Sequence, residues 1–295
     1  MTNRAVEIIT PERVASCFAP RPADSHKGSY GCLLAVCGSY GMAGAAILCA
    51  GGALRSGVGL LQMAVPERVY PLLAPVVPEA VFLPMAETRQ GTFSQDAIAP
   101  VLAAAEKATA VVVGPGMGQG ESQSALMEHL CRECACPVVV DADGINSLPV
   151  HILMEQTIST PLILTPHPGE MARLLGVSAA QVQAKRHEIA RRFVEQTGAT
   201  LVLKGHRTLV CAPGCPLLEN PTGNPGMATG GSGDVLAGII GALVAQGMSP
   251  YDAALCGVYL HGAAGDRGAA RLSQHSLLPS DLIEELPNLF LQIEK

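Results

Sequence analysis

The chain has 295 residues, of which 48% are hydrophobic and only 3% aromatic, so its core must be built mainly from Ala, Val, Leu and Ile. Its formal net charge of −6 and the lack of a Lys/Arg run argue against nucleic-acid binding. No apolar run reaches the length of a membrane span, and the first residues lack the apolar segment of a signal peptide. We therefore expect a cytoplasmic protein with a large α/β core.

Strands and small-residue helices alternate along the first 113 residues. A strand at 33–37, a glycine-rich turn at 38–44, a helix at 45–55 and a strand at 59–65 form the pattern of a βαβ unit. Ligand contact and close packing of helix on sheet explain the glycines of this turn equally well. The other predicted elements of this part are helices at 11–18 and 94–107 and strands at 80–83 and 110–113.

The second part of the chain continues the alternation without a break in composition. We predict one domain over residues 1–295, with a three-layer α/β/α fold and a mostly parallel central sheet. A long amphipathic helix is predicted at 177–197, and its charged residues Lys185 and Arg186 are interpreted as part of a solvated face. The last helix is predicted at 280–286, ended by Pro287. Further strands are predicted at 137–140, 162–165, 200–203 and 209–211, and further helices at 122–131 and from 249 onward.

Ten cysteines are present, and three of them (Cys131, Cys134 and Cys136) form a C-x-x-C-x-C cluster. A metal site or a disulfide is one interpretation. No His-x-x-x-His accompanies the cluster, however, and lone C-x-x-C pairs are weak signals. Reduced, mostly buried thiols are the favoured interpretation.

Several strand ends carry polar or glycine-rich turns, and ligands of open α/β sheets bind at this edge. Residues 114–118 form a G-x-G-x-G turn after a valine-rich strand. Asp141 and Asp143 follow the next strand; these carboxylates would either hold Mg²⁺ through water or cap the following helix. Prolines flank His167, which favours a ligand contact over a merely rigid turn. Glu170 stands where a first-turn carboxylate complements the helix dipole.

A glycine-rich loop, 230–234, opens an apolar helix. Gly230, Gly231 and Gly233 leave backbone N–H groups uncovered, and the helix N-terminus adds a positive dipole end. The loop therefore predicts an anion site, with phosphate as its occupant. Asp234 would repel that phosphate unless it has a chemical task. We predict that it accepts a proton from a hydroxyl that attacks the phosphate.

The turn at 204–208 lies between two predicted strands. Lys204, Arg207 and Thr208 are suited to nucleotide phosphates, although a simple polar hairpin would have the same composition.

These segments together resemble the ribokinase-like NAD(P)H-hydrate dehydratases, which use ADP or ATP to repair hydrated nicotinamide cofactors. The resemblance covers about residues 20 to 290. The glycine loop before a helix is shared by the wider ribokinase-like superfamily, whereas the longer N-P-x-G-N string and T-P-H-P-G-E are more specific. The segments that carry it are SHKGSYG, VVVGPGMG, LTPHPGE, KGHRTLV, NPTGNPGMATGGSGDVLAGIIGAL and GVYLHGAAGD.

The resemblance implies a ribokinase-like fold and a set of site residues. Asp234 would be the catalytic base, and Glu170 would help to organise Mg²⁺ with the nucleotide phosphates. The anion loop would comprise Gly230, Gly231, Ser232 and Gly233. Nucleotide binding is implied for Lys204, Gly205, His206, Arg207, Thr208 and Gly233. Contact with the hydrate substrate is implied for Ala43, Ala45, Gly116, His167 and Asp234.

The implied activity is an ADP-dependent (S)-NAD(P)H-hydrate dehydratase. It would phosphorylate the hydroxyl of hydrated NADH or NADPH and eliminate phosphate, giving NAD(P)H, AMP and phosphate. ATP is an alternative donor, and Mg²⁺ is the expected cofactor. The resemblance also implies a homotetramer and a separate NAD(P)H-hydrate epimerase, because the chain has no room for a fused one. The alternative function is a ribokinase-like small-molecule kinase of the hydroxymethylpyrimidine or hydroxyethylthiazole type.

Overall fold

The structure is a computed structural model that describes residues 6–155 and 158–294, and within them ten strands form one sheet. The strands are β1 (Glu7–Ile8), β2 (Cys32–Val36), β3 (Leu60–Pro66), β4 (Val81–Met85), β5 (Ala110–Val113), β6 (Val138–Val140), β7 (Leu162–Leu164), β8 (Thr200–Leu203), β9 (Leu209–Cys211) and β10 (Leu218–Glu219). Their order across the sheet is β1-β10-β9-β8-β7-β6-β5-β2-β3-β4. All pairs from β4 to β8 are parallel, whereas β9 runs antiparallel to β8 and β10. The mostly parallel sheet is thus confirmed.

Helices cover both faces of this sheet. They are α1 (Pro11–Ala15), α2 (Ala43–Arg55), α3 (Tyr70–Leu73), α4 (Ile98–Ala105), α5 (Glu121–Glu133), α6 (Asp143–Ser147), α7 (Val150–Leu153), α8 (Pro168–Leu175), α9 (Ala179–Ala184), α10 (Arg186–Thr197), α11 (Ser232–Ala245), α12 (Pro250–Leu272) and α13 (Pro279–Ile293). None of the helices in the described ranges has the length and apolar character of a membrane-spanning segment.

The two faces of the sheet support separate hydrophobic clusters. Along β5, Val112 joins the cluster of α2, α11 and α12, while Val111 and Val113 join the cluster of α4 and α5. This division follows from the period of two in a strand, where successive side chains point to opposite faces. The three-layer α/β/α prediction is confirmed.

Close packing of α2 against α11 sets the position of the glycine loop. A β-carbon at Gly238 of α11 would overlap the carbonyl oxygen of Cys49, and one at Gly52 of α2 would overlap that of Val235. Only glycine allows the two backbones to approach this closely. The N-terminus of α11 is therefore held at the carboxyl edge of the parallel strands.

Several elements differ from the sequence-based predictions. The helix predicted at 177–197 is two helices, α9 and α10, which meet at Lys185. The prediction that Pro287 ends the last helix is wrong, because α13 continues to Ile293. A proline inside a helix costs about 3 kcal/mol, but Leu289 beyond it is buried and the Phe290 ring packs edge-on at 5.7 Å from Phe18. The strands β1 and β10, of two residues each, were not predicted.

Candidate active site

A cluster of charged side chains lies where β6, β7 and β8 end. The ammonium of Lys204 lies 2.7 Å from Asp141 Oδ1 and 3.8 Å from Glu170 Oε2. Asp141 Oδ1 also accepts a hydrogen bond from Thr165 Oγ1 at 2.6 Å. Burial alone lowers the pKa of Lys204, but Asp141 and Glu170 outweigh it and raise that pKa. The lysine therefore carries a fixed positive charge into the site.

Asp234 occupies the first turn of α11, at the edge of this cluster. Its pKa is raised to about 7, first by burial and next by the Asp141 carboxylate, while Lys204 opposes the rise. A carboxyl group with this pKa is about half ionised at neutral pH. It can therefore accept a proton and release it again near physiological pH, as general acid–base catalysis requires.

The backbone just before α11 is open at Gly230. Gly231 adopts a φ of +96°, and nothing lies within 4 Å of the position that a β-carbon on Gly230 would take. A β-carbon on Gly233 would lie 3.2 Å from Lys204 Nζ. The loop thus combines an exposed glycine, a helix dipole and a neighbouring cation, which together favour an anion.

His261 of α12 contacts the first turn of α11. Its Nε2 lies 2.9 Å from the carbonyl oxygen of Ser232 and 3.2 Å from the Ser232 hydroxyl. Burial lowers the pKa of His261 to about 4, so the ring is neutral. Because the carbonyl can only accept, Nε2 carries the proton, and the histidine fixes the first turn of α11.

A cleft of about 760 Å³ opens beside the loop. Every residue predicted to bind nucleotide lines this cleft, as do His167 and most of the glycine loop. The cleft-lining members of the predicted sites are His167, Lys204, Gly205, His206, Arg207, Thr208, Gly230, Ser232 and Gly233. Asp234 does not line this cleft, although the two residues before it, Ser232 and Gly233, do.

The far wall of the cleft is the segment 220–230, whose contacts were not predicted. Asn220 Nδ2 donates to Val258 O at 3.2 Å, and Thr222 Oγ1 donates to Tyr259 O at 3.0 Å. The Gly223 amide donates to Asp266 at 2.9 Å. These bonds fasten the N-P-x-G-N string to α12, which gives a structural reason for its polar residues.

The turns predicted to contact the substrate meet on another side of the site. Gly116 has a φ of +61°, and a β-carbon there would lie 2.8 Å from the Ala45 Cβ. Ser39 Oγ donates to Gly116 O at 2.8 Å. Ala43, Ala45 and Gly116 do not line the 760 Å³ cleft. The structure therefore places these predicted substrate residues near one another and outside the cleft that the predicted nucleotide residues line.

Asp143 connects the 114–118 turn with the end of β6, where Asp141 lies. Its carboxylate accepts hydrogen bonds from the Gly118 amide and from Gln119 Nε2, each at 3.0 Å. It is also close enough to Asp234 to raise the pKa of that carboxyl. The two carboxylates of the D-x-D sequence thus differ: Asp143 orders a turn, while Asp141 faces the charged cluster.

His167 and Glu170 form a capping box at the start of α8. His167 Nδ1 accepts from the Gly169 and Glu170 amides, at 2.9 and 3.2 Å, and Glu170 Oε2 accepts from the His167 amide at 2.7 Å. Burial lowers the pKa of His167 and raises that of Glu170. Both residues therefore have a structural role, beside any contact with a ligand.

Arg186 corrects the prediction of a solvated charged face. The side chain is part-buried and donates to His206 O at 2.6 Å and to Leu203 O at 3.1 Å. It thus contacts the backbone of the predicted nucleotide turn. Arg186 lies at the break between α9 and α10. The amphipathic pattern of 177–197 concealed this break, so the contact had no signal in the sequence.

All ten cysteines are free thiols, and Cys131 and Cys134 are buried. Within the described ranges, no group of three or more His, Cys, Asp or Glu residues is arranged to enclose a metal ion.

Comparison with known proteins shows the family to which the chain belongs. A family model described as NAD(P)H-hydrate dehydratase matches residues 33–288. The chain belongs to the NAD(P)H-hydrate dehydratase family. The resemblance drawn from the sequence motifs is thereby confirmed.

Two relatives of this chain show how the match is distributed. The chain is 38% identical to the ADP-dependent (S)-NAD(P)H-hydrate dehydratase of Bacillus subtilis, over 97% of this chain and 98% of the relative. It is 44% identical to the bifunctional NAD(P)H-hydrate repair enzyme of Moorella thermoacetica, over 93% of this chain but 52% of the relative. The chain thus spans about half the length of that bifunctional relative.

A solved structure matches the chain over its whole length. The crystal structure of an ADP/ATP-dependent NAD(P)H-hydrate dehydratase from Bacillus subtilis, co-crystallised with ATP and Mg²⁺, superposes with a TM-score of 0.86. It is 35% identical and covers 100% of both chains. The expected ribokinase-like fold is confirmed by this structural similarity.

Proposed function

We propose that this chain is an ADP-dependent (S)-NAD(P)H-hydrate dehydratase that restores hydrated NADH and NADPH. The observation that carries the proposal is Asp234, whose pKa of about 7 suits a base at neutral pH. It sits on the helix whose other first-turn residues, Ser232 and Gly233, line the nucleotide cleft. A family member with this arrangement joins a phosphoryl donor to a hydroxyl acceptor.

The first step transfers a phosphoryl group. Asp234 accepts the proton of the substrate hydroxyl as its oxygen bonds to the terminal phosphorus of ADP, and the bond from that phosphorus to AMP breaks. Hydroxide is a poor leaving group, whereas phosphate leaves readily. The transfer therefore prepares the carbon–oxygen bond for cleavage.

The second step is an elimination. The lone pair of the ring nitrogen expels phosphate, and loss of a ring proton restores the double bond of NADH or NADPH. The overall products are NAD(P)H, AMP and phosphate. The lyase activity thus consumes one phosphoanhydride bond of the donor for each molecule repaired.

Fixed charges of the protein stabilise the transferring group. The dipole of α11 and the open backbone at Gly230 would face the phosphates, and Lys204 is held in place by Asp141. These groups are already positioned before the substrates bind. Positioning and electrostatics, rather than covalent chemistry by the protein, lower the barrier.

The donor set of the site fits a magnesium ion. Asp141 Oδ2 is buried without a hydrogen-bond partner in the structure, and Glu170 lies on the other side of the same lysine. Mg²⁺ is usually held by one or two carboxylates together with substrate phosphates, so three converging carboxylates are not required. Asp141 and Glu170 would hold the ion, which neutralises phosphate charge when bound.

The remaining substrate contacts follow the family pattern. We assign Ala43, Ala45, Gly116 and His167 to the hydrate, and the turn 204–208 with Gly233 to the nucleotide. The homotetramer, the cytoplasmic location and the functional pairing with an NAD(P)H-hydrate epimerase remain predictions.

The direct test is product analysis. The protein is incubated with hydrated NADH, Mg²⁺ and either ADP or ATP, while the absorbance of reduced nicotinamide and the release of inorganic phosphate are followed together. We expect both to rise in equal amounts, with ADP as the better donor. A stable phosphorylated product without free phosphate would instead indicate a small-molecule kinase.

A further inference from the structure

The turn 203–208 is held by a side chain that comes from outside it. Arg186, the first residue of α10, donates through Nη1 to His206 O at 2.6 Å, and through Nη2 to Leu203 O at 3.1 Å and Arg207 O at 3.5 Å. One guanidinium thus spans three carbonyl groups of a single turn. A planar fork with five N–H donors can do this, whereas an ammonium acts as a point charge.

Arg186 occupies an unfavourable position for a cation. Helix N-termini favour negative charge, yet Arg186 begins α10. Burial lowers the pKa of its guanidinium, and Nε is buried without a hydrogen-bond partner in the described ranges. Its position therefore does not follow from helix stability, but from its contacts with the turn.

The direction of those contacts has a consequence for the cleft. In a planar trans peptide, the C=O of one residue and the N–H of the next point in opposite directions. Because the carbonyls of His206 and Arg207 point toward Arg186, the amides of Arg207 and Thr208 point away from it. Both of these residues line the 760 Å³ cleft. The amides are therefore presented on the side where the nucleotide is proposed to bind.

The backbone of the turn needs such a restraint. Gly205 has a φ of +140° and Arg207 a φ of +54°, a conformation that non-glycine residues rarely adopt. A β-carbon at Gly205 would lie 3.3 Å from Arg186 Nη2. The guanidinium thus packs against the glycine as well as bonding its neighbours.

We propose that Arg186 is a positioning residue, which fixes the turn 203–208 so that its amides bind the adenine nucleotide. This inference rests on the proposed function for the identity of the ligand. Arg186 does not itself line the cleft. It acts through Arg207 and Thr208, and it should affect the nucleotide without affecting the hydrate.

The test compares Arg186→Lys and Arg186→Gln with the wild type. Arg192 lies exposed on the same helix, so Arg192→Lys and Arg192→Gln are matched controls. ADP affinity is measured by calorimetry, the KM values for ADP and hydrate by kinetics, and folding by thermal unfolding. We expect both Arg186 variants to bind ADP about tenfold more weakly, the effect of losing one hydrogen bond to a charged group. Their hydrate KM should stay within about twofold of wild type, as should both controls.

Two results would overturn the inference. One is an ADP affinity of folded Arg186→Lys and Arg186→Gln equal to that of wild type. The other is an equal rise in both KM values with a lowered melting temperature, which would indicate a general structural role. A failure of the proposed function would give a different result. The wild type would bind ADP and the Arg186 variants would bind it more weakly, but no hydrate would be converted to NADH.

Discussion

Replacing Asp234 by Asn removes a proton acceptor and almost nothing else. The amide has the shape of the carboxyl group, so the first turn of α11 and the packing of α2 on α11 should be preserved. Asn cannot take a proton from a hydroxyl at any pH used with proteins. The substitution therefore isolates the chemical task that we assign to Asp234.

The loss of activity should be large and should depend on pH. General base catalysis contributes about 10²- to 10⁴-fold, so we expect turnover to fall by that range, with ADP affinity within about threefold of wild type. In the wild type, kcat/KM should rise with pH through about 7, where Asp234 ionises. About one pH unit below that value, only about a tenth of the carboxyl group is ionised.

The same substitution should stabilise the fold at alkaline pH. The pKa of Asp234 is about 7 in the folded protein and 3.8 ordinarily, so the ionised group is destabilising in the native state at all pH values above 7. The full difference corresponds to about 4 kcal/mol; since the side chain is partly accessible, we expect about 2 kcal/mol. The gain in Asp234→Asn should shrink as the pH falls toward 4.

The assay follows formation of reduced nicotinamide from hydrated NADH and ADP, with thermal unfolding of the same samples at pH 8 and pH 5. Asp24 is exposed, and Asp24→Asn serves as the control for a carboxyl-to-amide change. Turnover of Asp234→Asn within a few-fold of wild type would refute the role of Asp234 as the base. If kcat/KM of Asp234→Asn depended on pH in the same way as that of the wild type, this would contradict the raised pKa of Asp234.

Three further substitutions test the surroundings of Asp234. Lys204→Met removes the ammonium that pairs with buried Asp141. We expect at least tenfold weaker ADP binding by calorimetry and a loss of about 3 kcal/mol in the free energy of unfolding. A wild-type ADP affinity in this variant would show that Lys204 is not part of the nucleotide site. Gly230→Ala has free space around its β-carbon, so the melting temperature should stay the same while ADP affinity falls, and unchanged affinity would mean that the phosphates do not touch this loop. Gly262→Ala would overlap Thr222; chemical denaturation should show a loss of about 1–3 kcal/mol, and full stability would show that the 220–230 segment is not fastened as described.

The sequence was sufficient for the parts of the fold that local patterns determine. Valine runs such as 110–113 predict buried parallel strands, and the glycine loop before an apolar helix predicts an anion site. Both signals are local, because a strand's period and a helix's open amides are properties of neighbouring residues. The side chain of Asp234 could likewise be singled out from its position in the loop.

The contacts between distant segments could not be predicted in this way. Lys204 meets Asp141, 63 residues earlier, and only the order of strands in the sheet brings them together. The pKa of Asp234 depends on that same meeting, so no local pattern contains it. Arg186 was assigned to solvent because its helix is amphipathic, although its guanidinium reaches a turn formed about 20 residues later.

The most direct measurement of the central claim follows the oxygen atom of the substrate hydroxyl. Hydrated NADH carrying a heavy oxygen isotope at that hydroxyl is incubated with the protein, ADP and Mg²⁺, and the released phosphate is analysed by mass spectrometry. If the hydroxyl attacks the phosphorus as Asp234 takes its proton, each phosphate released must contain one heavy oxygen. Label found in water, with none in the phosphate, would contradict phosphorylation of the substrate and with it the role proposed for this site.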